Sequence, residues 1–328
     1  MKVVITGGRG FIGTRLARAL LDRGTLTSIA GEEKPIDELL LFDSIDTPEL
    51  FKEKEGDTEI QQVVGDISDR DSTKHLIDRD DISVFHLASV VSREGETDFD
   101  LAMRVNLDGS RNLLETLRAR GGLQRIVFAS SIAVFGGAGM PNRVGDAVKQ
   151  TPQTTYGTTK AMLELLINDY TRKGFVDGRS ARLPTVIIRP GEPNLAASSF
   201  VSGVFREPLN GVDFELPVPL NMMIPVLGYR AIVANLIKLH EIDPDRLGDD
   251  RAVGLPSHTA TVQQMIDSLQ AVADNRVLGT ISVKPDPFIL RICQTWPQDC
   301  TSTRATELGL RKEKNIEEIV RYYIDDYL

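Results

Sequence analysis

The spacing of hydrophobic residues changes twice before residue 22, from a continuous apolar run to a glycine-rich turn and then to a helical repeat. Residues 3–6 are apolar or β-branched without interruption, which is typical of a buried strand. Glycines follow at positions 7, 8, 10 and 13, and from position 11 the apolar residues recur at the spacing of one helix face. The pattern predicts a strand, a tight turn and a helix.

The same alternation continues through the first 190 residues. Apolar runs predict further strands at residues 39–43, 61–67, 84–89, 124–129 and 185–190, and helices at residues 99–117 and 156–170. Strands that alternate with helices predict an α/β fold with a doubly wound parallel sheet, the Rossmann arrangement. In such a sheet, ligands bind at the carboxyl ends of the strands.

The pattern changes after residue 190. Prolines at five positions between residues 191 and 227 predict a loop-rich segment. Beyond it we predict helices at residues 229–241, 261–273 and 316–327 and short strands at residues 252–255 and 281–284. We expect residues 1–190 to form the Rossmann domain, with 226–256 returning to it. Residues 191–225 and 257–328 would form a smaller substrate-binding domain.

Composition narrows the class of protein. The net charge of −9 argues against a nucleic-acid partner and gives no attraction to an anionic membrane. The first strand leaves no room for a signal peptide, and no apolar run is long enough to cross a bilayer. The two cysteines and four histidines match no metal motif. We therefore expect a cytoplasmic protein with reduced thiols and no metal.

The glycine-rich turn carries the first chemical signal. Gly8, Gly10 and Gly13 fit the dinucleotide fingerprint, and so does the wider spacing that begins at Gly7. Glycines let the backbone approach a pyrophosphate closely, and the first N–H groups of the following helix face the phosphates. We predict a dinucleotide-binding loop that includes Phe11 and Ile12.

Acidic residues follow the second and third predicted strands. Asp43 is placed to accept the adenosine ribose hydroxyls, although it lies 30 residues beyond Gly13, and the extra length falls in the polar connection 22–38. The alternative is an acid in a turn. Asp66 either takes part in capping the next helix or accepts a hydrogen bond from the adenine amino group, and both roles are compatible.

The fourth predicted strand ends in small residues. Ala88 and Ser89 would let a cofactor lie close to the strand end, next to Leu87. We interpret His86, in the same strand, as a core histidine rather than a catalytic one.

A tyrosine and a lysine four residues apart carry the second chemical signal. Tyr156 and Lys160 would share one helix face, and a neighbouring ammonium favours the phenolate form of tyrosine. Ser131, at the end of the fifth predicted strand, could hydrogen-bond the same substrate oxygen. Tyr-x-x-x-Lys pairs are common on helix surfaces. Together with Ser131 and the glycine loop, this pair predicts a proton acceptor.

These motifs resemble those of extended short-chain dehydrogenases/reductases, the NAD-dependent epimerase/dehydratase family. The shared segments are residues 6–13, Asp43, 65–67, 86–89, 105–106, 130–136, 156–160 and 189–190. The resemblance implies that Ser131, Tyr156 and Lys160 are catalytic and that Lys160 also binds the ribose. It implies a supporting role for Asn106 and a homodimer. The further cofactor contacts that we predict are Ile67, Leu87, Ala88, Ser89, Ser130 and Pro190.

The segment after residue 190 departs from the nucleotide-sugar enzymes of the family. Residues 99–106, 174–179 and 189–209 are similar to those of the D-erythronate dehydrogenase subfamily, which oxidises a four-carbon sugar acid at its C2 hydroxyl with NAD. Besides Ser131 and Tyr156, the predicted substrate contacts are Ser92, Asn194, Ser199 and Arg206. Arg206 is the candidate for the substrate carboxylate; the alternative is a solvated or ion-paired arginine. Loop capping is the alternative for Asn194 and the serines.

Two other functions are the alternatives: the first uses the same catalytic residues, whereas proteins of the second kind commonly lose the tyrosine or the lysine, both of which this chain keeps. A nucleotide-sugar epimerase or dehydratase would keep NAD bound through a transient oxidation, and a cofactor-binding sensor would perform no chemistry. Arg9 in the glycine loop would suit the 2′-phosphate of NADP, whereas the carboxylate of Asp43 would repel it. We predict NAD, with Arg9 on the pyrophosphate side or facing solvent.

Overall fold

The computed structural model describes residues 1–46, 50–193 and 196–328. Its centre is an eight-stranded sheet in which seven strands are parallel and one edge strand is antiparallel. The strand order is Ala252–Gly254, Asp177–Leu183, Arg125–Ser131, Ile82–His86, Lys2–Thr6, Glu38–Asp43, Thr58–Val64 and Lys54–Glu55. The predicted α/β, doubly wound architecture is confirmed. From Lys2–Thr6 the chain first adds strands on one side of the sheet and then, from Ile82–His86 onward, on the other side. This switch beside the first strand places a ligand crevice there.

Helices cover both faces of this sheet, and for this reason its central strands are apolar on both sides. Phe11–Arg23 and Tyr229–Glu241 pack on one face, through a core that includes Leu16, Leu20 and Leu236. The other face is covered by Arg70–Lys74, by the helical segment 99–120 and by Thr155–Arg172.

The segment predicted as one helix at residues 99–117 is helical but not uniform. It begins as Phe99–Ala102, widens into a π-helix over Met103–Gly109 and continues as Ser110–Arg120. Asn106 lies within the π-helical part and is 1% exposed. Single π-helical turns are frequent at functional sites.

The sixth predicted strand was placed wrongly. The strand in the central sheet is Asp177–Leu183, not residues 185–190. Thr185–Ile187 pairs instead with Met223–Gly228, which pairs with His258–Thr261 in a separate three-stranded sheet. Four of the seven residues of Asp177–Leu183 are polar, and such a strand can be buried because its arginines are ion-paired.

The loop-rich prediction for residues 191–227 was also wrong in part. Ser199–Leu209 is a helix, and Pro208 lies in its last turn. Its residues Val204 and Phe205 are fully buried in a second core. That core also takes in side chains from the C-terminal helix Ile316–Tyr327.

The remaining elements are short or belong to the C-terminal part. The strands are Thr25–Thr27, Glu33–Pro35, Arg143–Val144, Phe214–Leu216, Ile281–Val283 and Asp299–Cys300; the helices are Ser92–Thr97, Ile132–Val134, Pro244–Leu247, Val262–Val272, Pro287–Cys293 and Thr303–Glu307. Within the described ranges, no helix has the length and apolar character needed to cross a membrane.

Candidate active site

The glycine loop is packed so tightly that side chains cannot replace its hydrogens. A Cβ on Gly13 would lie 2.2 Å from the carbonyl oxygen of Gly7, and one on Gly7 would lie 2.8 Å from the amide nitrogen of Ala88. Gly7 also has a φ of 71°, which favours glycine. The loop opens the Phe11–Arg23 helix, whose first N–H groups are available to an anion. This cradle fits the pyrophosphate of a dinucleotide.

Asp43 lies at the end of its strand, directly beside the loop. Its Oδ2 accepts a hydrogen bond from the backbone N–H of Arg9 at 3.0 Å, and its Oδ1 accepts one from Ile45 at 3.2 Å. Arg9 does not face solvent, because its side chain is only 4% exposed and its Nη1 lies 3.8 Å from Oδ1 of Asp46. The solvent-facing alternative for Arg9 was therefore wrong.

A cavity of about 690 Å³ extends from the glycine loop along the strand ends. One group of lining residues, which we call the sheet wall, comprises Gly7, Gly10, Phe11, Ile12, Gly13, Leu87, Ser89, Ala129, Ser130, Ser131, Ile132, Ala133, Tyr156 and Lys160. The other group, which we call the second wall, comprises Leu183, Pro184, Thr185, Val186, Arg189, Ala196, Ser198, Ser199, Ser202, Arg206 and Trp296. Ile45, Val91, Ser92 and Glu94 complete the lining.

The three predicted catalytic side chains meet on the sheet wall. Nζ of Lys160 donates to the carbonyl oxygen of Ala129 at 2.8 Å and lies 5.3 Å from the centre of the Tyr156 ring. The side chain of Thr154 caps the helix that carries both residues. Ser131 stands at the end of the neighbouring strand and lines the same cavity. The spatial arrangement suits proton transfer to or from a bound hydroxyl group.

Burial sets the electrostatics of this group. Burial raises the pKa of Tyr156, and a hydrogen bond from Ser131 lowers it by a smaller amount. Burial lowers the pKa of Lys160 to about 7, although the negative charge of Glu164 acts in the opposite direction. The neighbouring ammonium of Lys160 was expected to lower the pKa of Tyr156. In the protein alone burial raises that pKa, and the opposing contribution comes from the hydrogen bond of Ser131.

Glu164 lies one turn beyond Lys160 and joins the catalytic helix to two strands. Its carboxylate accepts hydrogen bonds from Ser130 and from Gln150. It also forms a buried ion pair with Arg182, whose Nη2 lies 2.8 Å from Oε2. Because Ser130 directly precedes Ser131, these contacts hold the strand end and the helix in one arrangement.

A chain of buried hydrogen bonds starts at Thr6, next to the glycine loop. Ser110 donates its hydroxyl proton to the carbonyl oxygen of Asn106, so it must accept from Nε2 of His86, at 2.7 Å. Nδ1 of His86 is then the acceptor for Thr6, at 2.6 Å. Burial and the charge of Lys160 lower the pKa of His86 to about 3, so the ring is neutral.

Asn106 extends this chain to the catalytic helix. Its Oδ1 accepts from the backbone N–H of Val90 at 2.7 Å, and its Nδ2 donates to the carbonyl oxygen of Val90 at 3.1 Å. A longer contact of 3.4 Å reaches Thr159, next to Lys160. His86 and Asn106 thus connect the glycine loop, the π-helix and the catalytic helix.

Two arginines reach the cavity from the second wall, and their charges are balanced differently. Arg206, the predicted carboxylate ligand, forms an ion pair with Glu207, to which its Nε donates at 3.0 Å. Arg189 lines the same wall, and within the described ranges no carboxylate lies within ion-pairing distance of it. Burial, together with the charge of Arg206, lowers the pKa of Arg189.

Two of the three other predicted substrate contacts line the cavity, and the third is not among the described residues. Ser92 and Ser199 line the cavity, and Oγ of Ser92 accepts from the backbone N–H of Ala197 at 3.2 Å. Asn194 lies outside the described residues.

Six predicted cofactor contacts do not line the cavity, namely Asp43, Asp66, Ile67, Ala88, Asn106 and Pro190. Asp66 accepts hydrogen bonds from Ser68 and pairs with Arg104, while Asp69 caps the following helix. Sequence reasoning missed the lining residues Glu94, Arg189, Ser198, Ser202 and Trp296. Only Arg189 gave a signal, because it directly follows an apolar run.

Comparison with known proteins defines the class. The profile of the NAD dependent epimerase/dehydratase family matches residues 3–220. The chain belongs to this family, and it is an NAD-dependent oxidoreductase.

Individual relatives are similar over the full chain. A protein of Cupriavidus necator named D-erythronate dehydrogenase is 45% identical over 326 residues, which cover 99% of this chain and 98% of that protein. A Haemophilus influenzae protein with the same name is 38% identical, covering 99% of both chains. The crystal structure of a nucleoside-diphosphate-sugar epimerase from Agrobacterium tumefaciens has a TM-score of 0.89 and 38% identity, covering 100% of this chain and 94% of that one.

Proposed function

We propose that this enzyme oxidises a four-carbon sugar acid, such as D-erythronate, at its C2 hydroxyl and yields the 2-oxo acid. The observation that carries the proposal is the meeting of Ser131, Tyr156 and Lys160 on the wall of the glycine-loop cavity. The names of the Cupriavidus necator and Haemophilus influenzae relatives support the choice of substrate.

The roles of the side chains follow from their chemistry. The phenolate of Tyr156 takes the proton of the C2 hydroxyl, and the ammonium of Lys160 stabilises that phenolate. Ser131 donates a hydrogen bond to the oxygen that becomes the carbonyl. Bound NAD supplies the hydride acceptor.

The cradle around residues 7–13 would hold the pyrophosphate, and Asp43 the adenosine ribose. Lys160 would bind the second ribose, and Asp43 is the residue that favours NAD over NADP. The rest of the cofactor would lie along the strand ends. The residues predicted to contact it there are Ile67, Leu87, Ala88, Ser89, Asn106, Ser130 and Pro190.

We also propose that the chain has a separate substrate-binding part and that the enzyme is a homodimer. Residues 191–225 and 257–328 would form the substrate-binding part, which the separate second core supports. Phe99 and Leu165, 61% and 65% exposed, lie on the two helical segments that would form the dimer interface. Light scattering of the purified enzyme tests this part.

A substrate screen tests the reaction. NADH formation is followed with C4 and C5 aldonates, and we expect sustained turnover with at least one C4 acid. The matched control is the same reaction with UDP-sugars. NAD that stays bound in stoichiometric amounts through purification, together with stabilisation by UDP-sugars and no net NADH, would instead indicate an epimerase.

A further inference from the structure

The main chain of Arg189 is fixed to the helix Ser199–Leu209 at both of its polar groups. Its N–H donates to Oγ of Ser202 at 3.1 Å, and its carbonyl oxygen accepts from Nη1 of Arg206 at 2.9 Å. The residue is therefore held in place without using most of its side chain. The guanidinium group has five N–H donors, and among the residues that the structure describes one hydrogen bond, from Nη1 to the carbonyl oxygen of Glu192, uses one of them.

Charge balance separates this arginine from its neighbour. Arg206 is 3% exposed and gives Nε and Nη2 to the carboxylate of Glu207, so its charge is compensated within the protein. Arg189 is half-buried, and in the part of the chain that the structure describes it has no carboxylate partner. A partly buried cation of this kind is stabilised by an anion that enters the cavity.

The position of Arg189 limits which anion can be used. It lines the same cavity as Tyr156 and Ser131. In a 2-hydroxy acid the carboxylate is bonded directly to the carbon that carries the reacting hydroxyl. A guanidinium fork that holds this carboxylate through two parallel hydrogen bonds therefore also fixes the hydroxyl relative to the sheet wall.

We propose that Arg189, rather than Arg206, binds the substrate carboxylate and selects 2-hydroxy acids over neutral polyols, while Arg206 positions the Arg189 main chain. This inference rests on the proposed function for the identity of the reacting group. The diphosphate of a nucleotide sugar is the other anion that such a site could take, and the test below separates the two.

The test compares Arg189→Gln and Arg189→Lys with the wild-type enzyme, each saturated with NAD. Arg321→Gln, at an exposed helix position, is the matched control. Loss of a charge-assisted bidentate contact should raise KM for D-erythronate by about 10- to 100-fold. KM for NAD should stay within about twofold, which also reports that the variant is folded. Lysine should restore part of the affinity, because it keeps the charge but not the fork.

A neutral substrate analogue separates the effect of the carboxylate charge from other effects of the substitution. D-Erythronamide keeps the C2 hydroxyl and a carbonyl oxygen but lacks the charge, so Arg189→Gln should lower its turnover much less than turnover of the acid. Equal losses for acid and amide would overturn the proposal, as would wild-type KM values for the acid in Arg189→Gln.

A binding measurement keeps the inference independent of the reaction. Oxalate is titrated calorimetrically into the NAD-loaded proteins, and Arg189→Gln should bind it at least tenfold more weakly than the wild type and Arg321→Gln. If no aldonate yields NADH but this difference is found, the proposed function fails and the carboxylate site stands. Equal oxalate affinity in all variants, or competition by UDP but not by D-erythronate, would overturn the carboxylate site.

Discussion

The two walls of the cavity are built in different ways. On the sheet wall Lys160 donates to a backbone carbonyl, and His86, Ser110 and Asn106, which do not line the cavity, bond one another in the chain that begins next to the glycine loop. On the second wall a cation, Arg189, has no carboxylate partner in the described part of the chain. The polar groups of the sheet wall are thus bonded within the protein in the absence of substrate. The second wall instead presents a positive charge that an anionic ligand can compensate.

This difference assigns separate tasks to the walls. A rigid, internally bonded wall can position a cofactor and a proton acceptor for any member of a large family. A wall with an uncompensated positive charge favours an anionic substrate over a neutral one. Substitutions on the sheet wall should therefore change chemistry or NAD binding, and those on the second wall should change KM for the acid alone.

Removing the proton acceptor is expected to have the largest effect. Tyr156→Phe lacks the hydroxyl that takes the substrate proton, so kcat should fall by about 10²- to 10⁴-fold. NAD affinity, measured by fluorescence titration, should change little because the ring remains. A Tyr156→Phe enzyme with wild-type activity would show that Tyr156 on the sheet wall is not the proton acceptor.

Filling the glycine cradle should come next. In Gly13→Ala the new methyl group would meet the Gly7 carbonyl, so we expect at least a tenfold loss of NAD affinity and destabilisation of about 1–3 kcal/mol. Gly139→Ala is the matched control, since nothing lies within 4 Å of a Cβ there. NAD binding by calorimetry and thermal unfolding measure both effects. Unchanged NAD affinity in Gly13→Ala would mean that the cradle does not hold the pyrophosphate.

The hydrogen-bond chain at His86 gives a pH-dependent effect. The pKa of His86 is about 3 in the folded protein and about 6.5 when unfolded. Its contribution to stability is therefore complete above pH 6.5 and is lost as the pH falls, by about 1.4 kcal/mol per unit. In His86→Gln the amide can still donate to Ser110 and accept from Thr6 without titrating.

Urea unfolding at pH 7 and pH 5 measures this contribution. The wild type should lose about 2 kcal/mol more than His86→Gln between these two values. His240, also buried and with its pKa well below normal, is present in both proteins and cancels in the difference. Equal pH dependence in both proteins would show that His86 does not remain neutral.

The smallest effect is expected for Ser202, the residue of the second wall that holds the Arg189 main chain. Ser202→Ala removes the acceptor for the Arg189 N–H, a loss of about 1 kcal/mol, which should raise KM for the acid about fivefold. KM for NAD should not move. Ser268→Ala, a buried serine that does not line the cavity, serves as control. A Ser202→Ala enzyme that loses NAD affinity as well would contradict the separation of the two walls.

The sheet and its cofactor loop were predictable because their signals are local. The period change around residues 3–13 indicates strand, turn and helix, and Tyr156 and Lys160 share a helix face by spacing alone. The strand Asp177–Leu183 was not predictable in this way. Its buried Arg179 and Arg182 are compensated by Asp177 and by Glu164, and the Glu164 pair forms only after the catalytic helix has packed on the sheet.

The second wall was predicted least well for the same reason. Prolines suggested loops, although Phe200, Val204 and Phe205 have the spacing of a helix face and form one in Ser199–Leu209. Arg206 was predicted as the carboxylate ligand with an ion-paired arginine as the alternative, and the two cases differ in whether the arginine meets a carboxylate of the protein. That property depends on side-chain placement, which residue type and spacing do not report.

Isotope transfer tests most directly whether the enzyme oxidises C2 at a site that holds the neighbouring carboxylate. D-Erythronate labelled with deuterium at C2, and separately at C3, can be incubated with the enzyme and NAD, and the NADH analysed by mass spectrometry. We expect deuterium in NADH from the C2-labelled acid alone, together with a 2-oxo acid product. Deuterium from the C3-labelled acid, or exchange without net NADH, would contradict oxidation at C2.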